Sequence, residues 1–159
     1  MKGVYTLIIR FFHPRRTRLG KNGSVVLGSG LYLYTGSALG RGSISLEARI
    51  QRHLRRKKRE FWHIDRILAC ESARVVSVVF AETASRAECR VNVGLLQDPR
   101  IGILRGGIGS SDCRCESHFL VANESLRSLE RRVGSRYMRL GLKPRVMRKP
   151  SVGHGGQLL

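Results

Sequence analysis

Apolar positions fall in short runs separated by polar or glycine-rich stretches. Residues 4–12 are mostly β-branched, aliphatic or aromatic and predict a buried strand. Lys21-Asn22-Gly23 contains an Asn-Gly pair, a strong hairpin signal, between short runs at 17–20 and 24–27. Residues 31–35 alternate Leu and Tyr and predict another strand, so the first 36 residues read as an antiparallel β-meander. Residues 36–42 are rich in turn formers. Ser43 or Ser45 then caps a helix running to about residue 58, with Glu47 favourably placed in its first turn. Leu46, Ile50 and Leu54 share one face of it, and Arg49, Arg52, His53 and Arg56 another.

Phe61, Ile64, Ile67 and Leu68 predict a second, short helix. The valine-rich run 75–80 predicts a central strand. Ser85-x-x-Glu88 is a capping-box pattern opening a third helix to about Leu96. A glycine-rich loop covers 102–111, and Asn123 caps a last helix carrying Leu126, Leu129 and Val133. Apolar periodicity stops at Gly134. Pro144, Pro150 and the late glycines predict a basic, disordered tail over 135–159, after a single domain over 1–134. Together these elements predict an α/β domain of the α+β kind: a small, mainly antiparallel central sheet, extended by an N-terminal hairpin and flanked by helices.

Charge changes the picture more than composition does. Thirty Lys+Arg against eleven Asp+Glu give +19 over 159 residues, and 24 of the 30 are Arg. A folded chain of this mass exposes roughly 8,000 Å², so one uncompensated positive charge falls on about every 400 Å². That density calls for a polyanionic partner, and arginine grips phosphate bidentately. No apolar run reaches membrane-spanning length, and the first ten residues read as a strand rather than a signal peptide. Four cysteines are too few for a disulfide scaffold, which points to a reducing cytoplasm.

The most informative constellation is Gly3-Val4-Tyr5, Tyr34-Thr35-Gly36 and the pair Arg49 and His53 on one helix face. Two tyrosines at neighbouring strand ends can converge, and the following helix can present Arg49 beside them. With one downstream carboxylate, the parts suit phosphodiester cleavage: a phenol for water, a guanidinium for developing charge and a carboxylate for a divalent ion.

These segments resemble the two signature triplets of the GIY-YIG nuclease superfamily. Glu88, after the valine strand, resembles its metal-binding glutamate. Phe61-Trp62-His63-Ile64-Asp65 and the segment from Gly109 to His118 (Ser-Ser-Asp-Cys-Arg-Cys-Glu-Ser-His after the glycine) are similar to one branch, catalogued as a domain of unknown function. The resemblance covers about residues 2–122. Its departures are a 29-residue step from Tyr5 to Tyr34, Thr35 in place of Ile or Val, and no match for a late asparagine.

The resemblance implies a divalent-metal-dependent endonuclease acting on DNA, in repair or branched-structure processing. Tyr5 would position or activate water, and Tyr34 would hold the scissile phosphate or base. Arg49 would stabilise charge, His53 would assist proton transfer or orient Tyr5, and Glu88 would bind magnesium or manganese. Arg41, Arg52, Arg55, Arg56, Lys57, Lys58, Arg59 and His63 are the expected backbone-gripping residues, with DNA favoured over RNA. The rival expectation is a nucleic-acid-binding module on the same fold that does not cut.

Plainer accounts stand beside these. Tyrosines favour strands, and a glutamate at the third position of a capping box stabilises its helix without any metal. Cys113-x-Cys115-x2-His118, with Cys89 or Cys70, departs from the spacing of common structural zinc sites, so zinc is not expected there. Asp112 and His118 are expected to hold their loop by hydrogen bonds. Gly106-Gly107-x-Gly109 lacks the strand–turn–helix setting of a dinucleotide site, so no nucleotide cofactor is expected.

Overall fold

The structure, a computed structural model, describes residues 1–19 and 23–149. The first strand, β1 (Gly3–Phe11), is followed by β2 (Arg15–Arg18), β3 (Ser24–Leu27) and β4 (Gly30–Ala38). Next come α1 (Leu46–Leu54), α2 (His63–Leu68), β5 (Ala73–Glu82) and α3 (Glu88–Leu96). The chain then forms β6 (Ile101–Ile103), β7 (Phe119–Ala122), α4 (Leu126–Arg139) and β8 (Arg145–Arg148). Among the described residues, six strands form one sheet in the order β6-β7-β4-β1-β5-β8, with antiparallel pairing throughout. This is the expected α+β architecture.

The side-chain alternation of β1 explains why both of its faces are covered. Tyr5, Leu7, Ile9 and Phe11 join Leu46 and Ile50 of α1 and Ile64, Ile67 and Leu68 of α2 in one core. Val4 and Ile8 join Val91 and Leu95 of α3 and Leu129, Val133 and Tyr137 of α4 in the other. Thr6 is the buried polar residue of β1 on that second face. It is satisfied by hydrogen bonds to the Thr35 and Tyr137 hydroxyls, both at 2.9 Å.

Several expectations need correction. The first 36 residues are not one meander. Among the described residues, β2 and β3 pair only with each other, while β1 pairs directly with β4, so the hairpin is an insertion between two central strands. Lys21 and Asn22 lie outside the described residues; Gly23 has φ +74°. β4 runs on to Ala38 through the segment read as a loop. α1 starts from Ser45, whose hydroxyl accepts the Ala48 N–H, and ends at Leu54, just before the crowded cations at 55–59.

The cap of α3 is Ala87, not Ser85, whose N–H bonds to the Thr83 hydroxyl instead. Ser125, not Asn123, caps α4. The expected tail is structured well past 134. α4 continues to Arg139, and β8 pairs with β5 from Phe80–Arg145 to Ser77–Arg148. Residues 150–159 lie outside the described residues. A four-residue, arginine-rich edge strand buries little apolar surface, so it leaves almost no periodicity to read. No helix among the described residues is long and apolar enough to cross a membrane.

Candidate active site

A cleft of about 510 Å³ opens where β1, β4, α1 and the N-terminus of α3 meet. Tyr5, Tyr34, Arg49, His63 and Glu88 all line it, together with Ser37, Trp62, Arg86 and Asp112. The register of β1 against β4 accounts for the two tyrosines. Tyr5 faces Gly36 and Leu7 faces Tyr34, so both phenols lie on the α1 face as diagonal neighbours. Tyr32, in phase with Tyr34, is turned to the core instead: its ring stacks on Phe119 at 5.2 Å and its hydroxyl donates to the Gly28 carbonyl.

The glycines of both triplets have steric causes. A β-carbon at 36 would stand 2.6 Å from the Tyr5 hydroxyl oxygen and 2.8 Å from Cζ, so the Tyr5 ring occupies the space a side chain would need. A β-carbon at 3 would strike the Ala81 carbonyl oxygen on the neighbouring strand.

His53 stands behind the cleft wall rather than in it. Its Nε2 lies 2.9 Å from the Tyr5 hydroxyl, and its Nδ1 has no hydrogen-bond partner among the described residues. Burial lowers its pKa to about 3, assisted by the charges of Arg52, Lys58 and Arg49 and opposed by Asp65, so the imidazole is neutral in ordinary buffers. Burial likewise raises Tyr5 well above the usual phenol range, with Tyr34 adding to the effect and Arg49 opposing it. Burial pushes Tyr34 up to about 12. Both phenols therefore stay protonated.

Arg49 donates to the Ser37 carbonyl at 3.3 Å and lies over the Trp62 ring, 4.9 Å from its centroid. Burial alone would raise the Glu88 pKa. Hydrogen bonds from Ser37 and Arg86 outweigh it, and the carboxyl is held below its usual range. Ser37 donates to Oε2 and Arg86 to Oε1, the latter at 3.0 Å. Arg86 also bridges to Asp112 at 3.0 Å. Glu88 is thus no capping-box residue; it is the first residue of its helix, turned to the cleft. Ser37 and Arg86 were not legible as site residues, since nothing in a lone Ser or Arg marks proximity to a carboxylate 51 or two positions away.

The basic stretch divides in two. Arg52 is not a solvated gripping residue. It forms a bidentate pair with Asp65, at 2.8 and 2.9 Å, and donates to the Arg59 carbonyl. Asp65 also accepts the Phe61 and Trp62 N–H groups, which fixes the entry to α2. Arg56 donates to the Leu68 and Ala73 carbonyls, and Lys58 to those of His53 and Arg55. Arg52 and Arg56 tie the end of α1 to α2, and Lys58 folds back on the carbonyls at the end of α1. Arg41, Arg55, Lys57 and Arg59 remain exposed, as do Phe61 and Trp62, and Arg59 lies over the Phe61 ring.

Next to the cleft, Cys89 of α3, Cys113, Cys115 and His118 bring four ligand atoms within 4.8 Å of one another. No curated protein and no solved structure matches the chain. A family model does match, from residue 4 to residue 141, a span that takes in both triplets except Gly3, the cleft and this cluster. The chain belongs to the family described as Domain of unknown function DUF123.

Proposed function

We propose that the cleft hydrolyses phosphodiester bonds in DNA, in the manner of the GIY-YIG nucleases its triplets resemble, with magnesium or manganese held at Glu88. One observation carries the reading. Tyr5, Tyr34, Arg49 and Glu88 come from four separate elements of a strongly basic chain and line a single cleft.

The donor set at Glu88 suits a hard cation: an ionised carboxylate beside a hydroxyl, in a cleft wide enough for water and phosphate to complete the shell. The exposed Arg86 guanidinium neutralises that carboxylate and would yield its place to the cation. Such an ion polarises the phosphoryl oxygen and lowers the pKa of bound water. The chain's own groups supply the rest. Water attacking phosphorus gives a proton to the Tyr5 oxygen as Tyr5 passes its own to His53 Nε2, so a neutral phenol serves without ever becoming a free phenolate; the P–O bond to the departing nucleoside breaks with its electron pair on that oxygen, which takes a proton from solvent water. Arg49 faces the charge that grows on the phosphoryl oxygens. Tyr34 donates a hydrogen bond to the bound phosphate. Arg41, Arg55, Lys57 and Arg59 hold the flanking backbone, and Phe61 and Trp62 offer faces to an unstacked base. The setting we propose is cytoplasmic, in repair or the processing of branched DNA.

The Arg86–Glu88 pair and the feeble basicity of His53 favour one rival, a binding module on this fold that does not cut. A panel of single-stranded, duplex, flap, fork and four-way-junction DNA, with RNA alongside, decides between them. Cleavage that requires magnesium or manganese and stops with chelator supports the nuclease. Binding without cleavage of any member supports the module.

A further inference from the structure

We propose that Cys89, Cys113, Cys115 and His118 form a structural zinc site that fastens the loop 104–118 to the N-terminus of α3. The sequence spacing argues against zinc only while the Cys-x-Cys pair is taken alone. Folding brings in Cys89, 24 residues before Cys113, from the first turn of α3, and the set becomes Cys3His.

The separations approach those of a tetrahedral shell. With Zn–S of about 2.3 Å and Zn–N of about 2.0 Å, tetrahedral ligand atoms stand about 3.5–3.8 Å apart. His118 Nε2 is 3.4 Å from Cys113 Sγ and 3.7 Å from Cys89 Sγ. All four ligand atoms fall within 4.8 Å, so small rotations of the thiol side chains close the shell.

The histidine is also set for ligation. Its Nδ1 lies 3.0 Å from the Thr35 carbonyl oxygen. A carbonyl can only accept, so Nδ1 bears the proton and the Nε2 lone pair points among the three sulfurs. Metal-bound histidines are oriented in this way, by a backbone acceptor on the far nitrogen. The base of the loop is already held by Gly107 N–H to the Glu116 carbonyl, by His118 N–H and the Ser117 hydroxyl to the Ile108 carbonyl, and by the buried Ile108; the ion would fasten its cysteine-bearing tip to α3. Four protein ligands leave no open position, so the site is structural rather than catalytic. It sits beside Glu88 and sets the wall carrying Gly109, Ser111 and Asp112. The inference holds whether or not the cleft cleaves DNA.

The test is metal analysis of the full chain purified under reducing conditions, followed by reconstitution with zinc and, separately, cobalt. About one zinc ion per chain is expected. The cobalt form should show the intense visible absorption and thiolate charge-transfer band of a tetrahedral sulfur-rich site. Cys113→Ser and Cys89→Ser should lose the ion, while Cys70→Ser, outside the cluster, should keep it. Chelation should raise hydrogen exchange over 104–118 and leave β1 protected. A chain that takes up neither metal overturns the proposal. So does weak octahedral cobalt absorption, which reads the parent protein even where the serine variants fail to fold. A Cys113→Ser variant with full zinc content overturns it too, as does a native disulfide between two of these cysteines.

Discussion

The Tyr5 hydroxyl and His53 Nε2 lie 2.9 Å apart, joining the centre of the sheet to the last turn of α1 inside a buried environment. This contact makes stability depend on pH in a definable window. The folded chain holds His53 neutral down to about pH 3, whereas the unfolded imidazole protonates near its ordinary value of 6.5. The unfolded state binds more protons between those values, so stability rises with pH there and is lost as pH falls through the window. The loss should be on the order of a few kcal/mol by the acid end. Urea midpoints of the parent and His53→Gln between pH 7 and pH 5, above the carboxylate range, check this. The variant should show the flatter profile, and equal slopes would remove His53 as the cause.

Gly36 and Tyr5 share one space across the β1–β4 pair. Gly36→Ala forces the ring aside and should cost about 1–3 kcal/mol, the usual penalty for overpacking. Tyr5→Phe removes the nearer of the two clashing atoms, so the double variant should be more stable than the sum of the single losses predicts. A double-mutant cycle by thermal melting measures the coupling. Additive losses would mean that the ring is not what excludes a side chain at 36.

What was legible in the sequence follows from how local its cause is. The two triplets are the exception, legible only by resemblance: Gly36 is imposed by the Tyr5 ring, 31 positions earlier on the paired strand. α1 was legible from Ser45 and its leucine and isoleucine face. β6 and β7 were not, because strands of three and four residues carry too few alternations to stand out. Arg52 was misread because its partner is Asp65, on another helix, and a charge pattern read along one helix does not see across to the next. Cys89 could be proposed as a companion of Cys113 only with Cys70 as its equal, since the choice depends on where α3 starts.

The division of the basic stretch has separate consequences for folding and for binding. Arg52→Ala leaves the fully buried Asp65 carboxylate without its partner and should destabilise by about 3–5 kcal/mol. Arg55→Ala and Arg59→Ala should barely move the melting temperature. Each should instead reduce the salt slope of DNA binding by about one unit. With Arg52 and Arg56 engaged internally, about four to five phosphate contacts give a parent slope near −4. Melting curves and a salt titration of DNA affinity for the three variants check the assignment. A flat salt dependence, or an Arg52→Ala protein as stable as the parent, would contradict it.

Residues Arg145–Arg148 are part of the sheet. Truncation after Lys143 removes β8 and the Arg148 guanidinium that meets the Glu130 carboxylate at 2.8 Å, leaving the buried Glu130 without its ion-pair partner and the edge of β5 unpaired. The melting temperature should fall by more than about 4 °C. Equal melting temperatures for the two chains would show that β8 contributes nothing to the fold.

The central claim rests on Glu88 as the metal-holding carboxylate of a cutting site. The most direct measurement is the single-turnover cleavage rate of the best DNA substrate, as a function of magnesium and manganese concentration, for the parent and Glu88→Gln, with DNA affinity measured without metal for both. The substitution keeps the shape and the Ser37 contact, so folding and metal-free binding should persist. Cleavage should fall by roughly 100- to 10,000-fold, the scale for removing a charge-stabilising group from a phosphoryl-transfer site. A Glu88→Gln protein that cuts as fast as the parent, or a parent that cuts nothing with either metal, would contradict the account.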